Sequence, residues 1–170
     1  MKPIVLIPAR MASTRLPGKP LADIAGAPMI VQVARRAAEA DCGRVVIATD
    51  APEVLEAVRD AGFEAVMTGS HHQSGSDRIF EALQALDPEG GHDVVVNVQG
   101  DEPLMPVANI QRVAAMLNET AGADMATLME PLDPADAEQQ SVVKVVASET
   151  GRALYFSRSA IPFRREGGVP

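Results

Sequence analysis

The sequence is poor in the residues that sulfur and aromatic chemistry need. Its single cysteine, Cys42, excludes an internal disulfide and any cysteine-rich zinc site. A lone thiol suits a reducing compartment, and the cytoplasm is the expected location. Tryptophan is absent and aromatics make up 3% of the chain, so the core must be built from Val, Ile, Leu, Ala and Met. No apolar run approaches a membrane span. The apolar residues 1 to 8 are too short for a signal peptide and run straight into a charged loop. There is no G-x-G-x-x-G for a dinucleotide and no phosphate-binding P-loop, because Pro20 follows Lys19 where Ser or Thr should stand. Positive charge is also in deficit: 15 Lys and Arg face 23 Asp and Glu, a net charge of −8. General nucleic-acid binding and membrane-surface binding are therefore not expected.

What is present is ordinary globular composition, 46% hydrophobic and 22% charged over 170 residues, enough for a single domain with a real core. Strand and helix patterns alternate. Buried-strand runs are expected at 2–8, 44–49, 64–67 and 93–99, and amphipathic helices at 28–40, about 51–61, 76–86 and 106–119. Asp50 with Glu53 reads as the capping box of the second helix, and Pro106 as a residue of the fourth helix's first turn. Further strands are expected at 124–130, 141–148 and 152–157, the last two joined by Glu149, Thr150 and Gly151 as a hairpin. Met116, Met125 and Met129 are core candidates. Repeated β-α-β units predict an α/β fold, a mainly parallel sheet with helices on both faces and a hairpin near the C-terminus. Ligands of such sheets bind at the carboxyl ends of the strands, which directs attention to the loops that follow them.

The first of these loops, Ile7 to Leu21, holds Arg10, Arg15 and Lys19 with no acidic residue. Residues 1 to 44 carry seven Lys and Arg against three Asp and Glu, a balance of +4, so the other 126 residues carry −12. A local basic loop on an acidic body is either a solvated face or a site for a small anion, and its place at a strand end favours the anion. Val98 to Leu104 ends another buried strand with Asp101 and Glu102 in a turn framed by Gly100 and Pro103. Adjacent carboxylates there are either a solvated turn or a Mg²⁺ site shared with substrate phosphates. The polar loop from Gly69 to Arg78 contains His71 and His72. With no third ligand at useful spacing, these read as surface histidines rather than a metal site. Ser74, Ser76 and the backbone around Gly75 read instead as contacts for a base or ribose. Cys42 and His92 read as structural.

The order of four blocks, "IPARMASTRLPGKPL", "HQSGSDR", "VVNVQGDEPL" and "VKVVASETGRALYFSRSAIPF", resembles the sugar cytidylyltransferases, most closely the branch that activates the sugar acid Kdo (3-deoxy-manno-octulosonate). The resemblance runs from residue 2 to about 165. It implies a Rossmann-like nucleotidyltransferase fold and transfer of a cytidylyl group from CTP to Kdo, with release of pyrophosphate, for lipopolysaccharide synthesis. It leaves open another surface sugar or sialic acid, or a nucleotide-binding fragment without catalysis. It implies Mg²⁺ held by Asp101, catalytic roles for Arg10, Arg15, Lys19 and Asp101, and substrate contacts from Pro8, Ala9, Arg10, Ser13 and Lys19. Ser74, Gly75 and Arg78 would lie by the cytosine and ribose, and Gln99 by the sugar acid. A homodimer is implied for the full-length form. Ser76-Asp77 stand where the family has Thr-Glu, and family members run well past the point where this chain ends, which implies a shortened C-terminal part.

Overall fold

The computed structural model describes residues 2–11 and 17–162. The chain divides into two compact units, Met1–Ala126 and Thr127–Pro170.

The first unit is built on four parallel strands: β1 (Pro3–Ala9), β4 (Arg44–Thr49), β5 (Glu64–Met67) and β6 (Val94–Asn97). Two short strands, β2 (Asp23–Ile24) and β3 (Ala27–Pro28), form a separate small ribbon. The order in the sheet is β5-β4-β1-β6. The register sets Val5 beside Val45, Ile7 beside Ile47 and Ile4 beside Val95. The chain thus moves outward from β1 to β5, then returns to the other side of β1. That reversal opens a crevice beyond the carboxyl ends of β1 and β6.

The two-residue period of β1 divides the core. Val5, Ile7 and Ala9 join the larger cluster, which includes residues of α1 (Met29–Glu39), α2 (Pro52–Asp60) and α4 (Val107–Glu119). Ile4 and Leu6 point the other way and meet Ile79 of α3 (Gly75–Leu86). Helices therefore cover both faces, and β1 is buried on each side, as a central parallel strand should be. Burying a Val, Leu or Ile side chain contributes about 1.5–3 kcal/mol, so this strand anchors the unit.

The second unit contains an antiparallel hairpin, β7 (Lys144–Ala147) and β8 (Ala153–Ser157), with a register shift at Val146/Ala147. The α/β class, the parallel sheet and the hairpin agree with the sequence reading. Several local expectations do not. Residues 124–130 carry no regular structure. Apolar side chains without a ladder partner do not make a strand. Met125 and Met129 are accordingly exposed, and Met116 is only half-buried. The N-cap of α2 is Ala51, with no side-chain cap, because Asp50 is drawn to a cation elsewhere. Pro106 is the N-cap of α4 rather than a residue inside it. The expected strand 93–99 is regular only over 94–97, although the Val98 N–H still donates to Leu6 O at 3.1 Å. Among the described residues no helix is long and apolar enough to cross a membrane.

Candidate functional site

A cleft of about 510 Å³ opens at the carboxyl edge of the sheet. Three chain segments build most of its wall. Pro8, Ala9 and Arg10 leave β1; Gln99, Gly100 and Asp101 follow β6; His72, Gln73, Ser74, Gly75 and Arg78 belong to the loop before α3 and its first turn. Lys19 and Pro20 complete it with Met29, the first residue of α1. Of the sequence-derived site residues, the structure brings together Pro8, Ala9, Arg10, Lys19, Ser74, Gly75, Arg78, Gln99 and Asp101. Arg15 and Ser13 lie outside the described residues.

Close backbone approach sets the shape. A Cβ on Gly100 would lie 2.4 Å from the carbonyl oxygen of Pro8, so only glycine lets the β6 loop pass over the end of β1. A Cβ on Gly75 would meet the Pro8 ring at 3.0 Å, which seats the start of α3 against the same strand end.

Lys19 reaches this edge through a turn. Gly18 takes a left-handed conformation, φ 71°, and the Leu21 N–H donates to Gly18 O at 2.9 Å. Lys19 Nζ then lies 2.6 Å from Asp101 Oδ2, with both side chains partly open to solvent. The basic loop has no acid of its own, and its lysine finds one 82 residues away. Glu102, beside Asp101, is exposed and does not line the cleft.

The third segment is held from beneath. Ser74 is the N-cap of α3: its Oγ accepts from the Asp77 N–H at 3.1 Å and donates to Asp77 Oδ2 at 2.7 Å. The helix begins at the cleft wall, where its amide end favours negative charge. Arg78 is buried. Its Nη2 donates to Asp50 Oδ2 at 2.7 Å, and its Nη1 to Thr68 Oγ1 at 2.6 Å and Gly69 O at 3.3 Å. The guanidinium thus ties the loops after β4 and β5 to the first turn of α3, while the residue still borders the cleft.

His72 also lines the cleft and hydrogen-bonds to Glu81, whose oxygens each accept from the Gly69 N–H at 3.1 Å. The contact with His72, then the Gly69 amide, holds the Glu81 carboxyl below its usual range. His71, His72 and Glu81 each offer a ligand atom, all within 4.8 Å of one another. The expectation that the histidine pair lacks a third ligand is therefore corrected. Glu81 lies nine residues beyond His72, in the second turn of a helix, and the loop folds back to bring it there. Spacing within the loop alone could not show it. Sequence reasoning also missed His72, Gln73 and Gly100 as cleft residues and Asp50 as the partner of Arg78. Cys42 fits its structural reading: its Sγ donates to Ala40 O at 3.3 Å, and burial, then Asp41, raises its pKa, which disfavours the reactive thiolate.

A family model described as cytidylyltransferase matches residues 4–169. A 3-deoxy-manno-octulosonate cytidylyltransferase of Sinorhizobium medicae (strain WSM419) is 58% identical over 167 residues, 95% of this chain and 66% of the relative. One of the same name from Rhizobium meliloti (strain 1021) is 56% identical over 167 residues, with the same shares of each chain. The chain thus spans just under two thirds of the length of these curated relatives. Among solved structures, a CMP:2-keto-3-deoxy-manno-octonic acid synthetase complexed with CTP superposes with a TM-score of 0.90 at 40% identity, over 97% of this chain and 67% of that one.

Proposed function

The chain belongs to the cytidylyltransferase family, and on that premise we propose that it carries the nucleotide site of an enzyme that transfers a cytidylyl group from CTP to Kdo. One observation carries the reading: a single cleft at the strand ends gathers Arg10, Lys19 and the amide end of α3 around one carboxylate, Asp101. That is the charge pattern a triphosphate with its cation requires.

In this reading the anomeric hydroxyl oxygen of Kdo bonds to the α-phosphorus of CTP. The bond from that phosphorus to the bridging oxygen breaks, pyrophosphate leaves, and the hydroxyl proton passes to solvent. Protein groups contribute position and charge rather than covalent chemistry. Arg10 and Lys19 neutralise the triphosphate, and their contacts strengthen as charge moves to the departing pyrophosphate. Ser74 and Gly75 receive the cytidine, Arg78 holds that loop in place, and Gln99 faces the sugar acid. Arg15 and Ser13 act on the phosphates from the same basic loop.

Asp101 fits Mg²⁺ in kind. It is a single, solvent-open carboxylate on a cleft wall, and Mg²⁺ commonly takes one or two carboxylates with phosphate oxygens and waters. When bound, Mg²⁺ would draw charge from the phosphate oxygens. Asp101 would hold it, and Lys19, paired with Asp101 in this structure, would turn to the nucleotide. The exchange keeps every charge partnered: the lysine gives up a carboxylate for a phosphate. The protein acts in the cytoplasm, without nucleic-acid or membrane partners, and pairs as a homodimer. The exposed apolar side chains of β8, Leu154, Tyr155 and Phe156, favour a partner surface.

Steady-state pyrophosphate release tests the proposal, with CTP, ATP or GTP as donor and Kdo or sialic acid as acceptor, in the presence of Mg²⁺. CTP with Kdo should give much the fastest rate. Equal rates with all three nucleotides would overturn the cytidylyl assignment, and a preference for sialic acid would overturn the acceptor.

A further inference from the structure

We propose that His71, His72 and Glu81 form a binding site for one late first-row divalent ion, Zn²⁺ above all, separate from the carboxylate at Asp101. Two imidazoles and a carboxylate are the donor set of a three-ligand zinc site with water in the fourth position. Imidazole nitrogen favours zinc and its neighbours in the first transition row over magnesium, whereas a carboxylate such as Asp101, a hard oxygen donor, suits magnesium.

Three features build the site. The ligand atoms lie within 4.8 Å of one another. Ligand atoms around a tetrahedral zinc stand about 3.4 Å apart, given bonds near 2.1 Å, so the remaining closure is small. His71 is exposed and can turn its ring to supply it. The carboxylate is already oriented, since the Gly69 N–H holds Glu81 at 3.1 Å from both oxygens. Such an outer contact fixes a metal ligand in place. Finally, the His71 ring sits over the backbone of Gly69, where a Cβ would come within 2.4 Å of it, so the bare glycine leaves room for the ring beside its two partners.

His72 and Glu81 already meet through a hydrogen bond. An ion entering there replaces that hydrogen bond, the neutral His72 ring carrying its proton on the other nitrogen, while His71 and a water complete the shell. Such an ion would pin the loop to α3 directly before Gln73, Ser74 and Gly75, which line the nucleotide cleft. The inference does not rest on the cytidylyl reading, because the metal alone is the probe.

The test uses untagged, metal-stripped protein titrated with Co²⁺, whose visible absorption reports a tetrahedral nitrogen and oxygen shell, followed by competition with Zn²⁺. One equivalent should bind and be displaced by one equivalent of Zn²⁺. His71→Ala and Glu81→Gln should each weaken binding about 10-fold or more, the loss typical even of outer-shell changes. Asp101→Asn should bind as the parent does. Should Glu81→Gln fail to fold, by circular dichroism, His71→Ala decides alone, since that side chain is exposed. No single-equivalent site below about 10 μM, where structural and catalytic zinc sites bind far more tightly, would overturn the proposal. So would parent-like titrations of the folded variants, or loss of binding in Asp101→Asn.

Discussion

Asp50 and Asp101 occupy equivalent places in the fold and have opposite characters. Each follows a parallel strand, β4 or β6, and each meets a cation, Arg78 at 2.7 Å or Lys19 at 2.6 Å. The Asp50–Arg78 side chains are 13% and 3% exposed; those of Asp101 and Lys19 are 54% and 35% exposed. Arg78 is fixed by two further acceptors, Thr68 and Gly69, whereas the lysine ammonium is a point charge on a flexible stem. A buried, multiply bonded pair cannot exchange partners without stranding a charge. An exposed pair loses little when it opens, because water and salt already weaken it. The same kind of contact at two strand ends therefore serves as a fastening in one case and as a site that a ligand can enter in the other.

Removing one partner from each pair separates the two roles. Asp50→Ala leaves the Arg78 guanidinium buried without its counter-charge, and stability should fall by about 3–5 kcal/mol. The urea midpoint measures this, and a loss under about 1 kcal/mol would show that Thr68 and Gly69 suffice. The double variant Asp50→Leu/Arg78→Met should regain much of the loss, since it removes both charges together. Lys19→Ala should behave in the reverse way. Its unfolding midpoint should stay within about 0.5 kcal/mol of the parent, while kcat/KM for pyrophosphate release with CTP drops about 100-fold, near 3 kcal/mol of transition-state stabilisation. Asp101→Asn should likewise keep its stability and lose most Mg²⁺-dependent activity. Normal Mg²⁺ titration in that variant would reduce Asp101 to a turn residue.

How much of this was open to sequence reasoning follows from which interactions are local. The strands of the parallel sheet announce themselves because both faces are buried and the residues run apolar without interruption. Lys19 and Asp101 could be named because each stands in a loop directly after a strand. Their mutual contact could not, since 82 residues separate them. Asp50 misled for a related reason: Asp followed three residues later by Glu is a sound capping signal, but a buried Arg78 outcompetes a helix amide for the carboxylate. The stretch 124–130 has the apolar content of a strand and lacks a ladder partner. Glu81 was hidden by the turn that brings a helix back over its own preceding loop.

A smaller effect is expected where the cleft meets α3. Ser74→Ala removes the acceptor for the Asp77 N–H and should cost about 1 kcal/mol, the usual value of an N-cap. Because α2 starts after Ala51, an N-cap without a side-chain hydrogen bond, a hydroxyl is not needed merely to start a helix in this fold. If Ser74→Ala also raises KM for CTP, the cap and the ligand contact belong to one residue. A stability loss with unchanged KM would confine Ser74 to the helix.

The smallest effect concerns a carboxylate at the other end of the same helix, which depends on amides rather than a permanent cation. Asp87 follows α3 and accepts from the Gly91 and His92 N–H groups, each at 2.7 Å, and from His92 Nδ1 at 2.9 Å. The Gly91 amide, then that of His92, then its ring, lower the carboxyl from 3.8 to about 2. A depressed carboxyl stabilises the fold only while it is ionised. The contribution is complete above about 3.8, the pKa expected once these contacts are lost on unfolding, and fades as the pH falls through about 2. Asp87→Asn cannot ionise, so its melting temperature should lie below the parent's at neutral pH, and the two should converge in acid. The comparison is a pair of melting series between pH 7 and 2, at constant ionic strength. Parallel curves with no convergence would mean that the Gly91 and His92 contacts are geometric only, and that the acid response of the fold arises at other carboxylates.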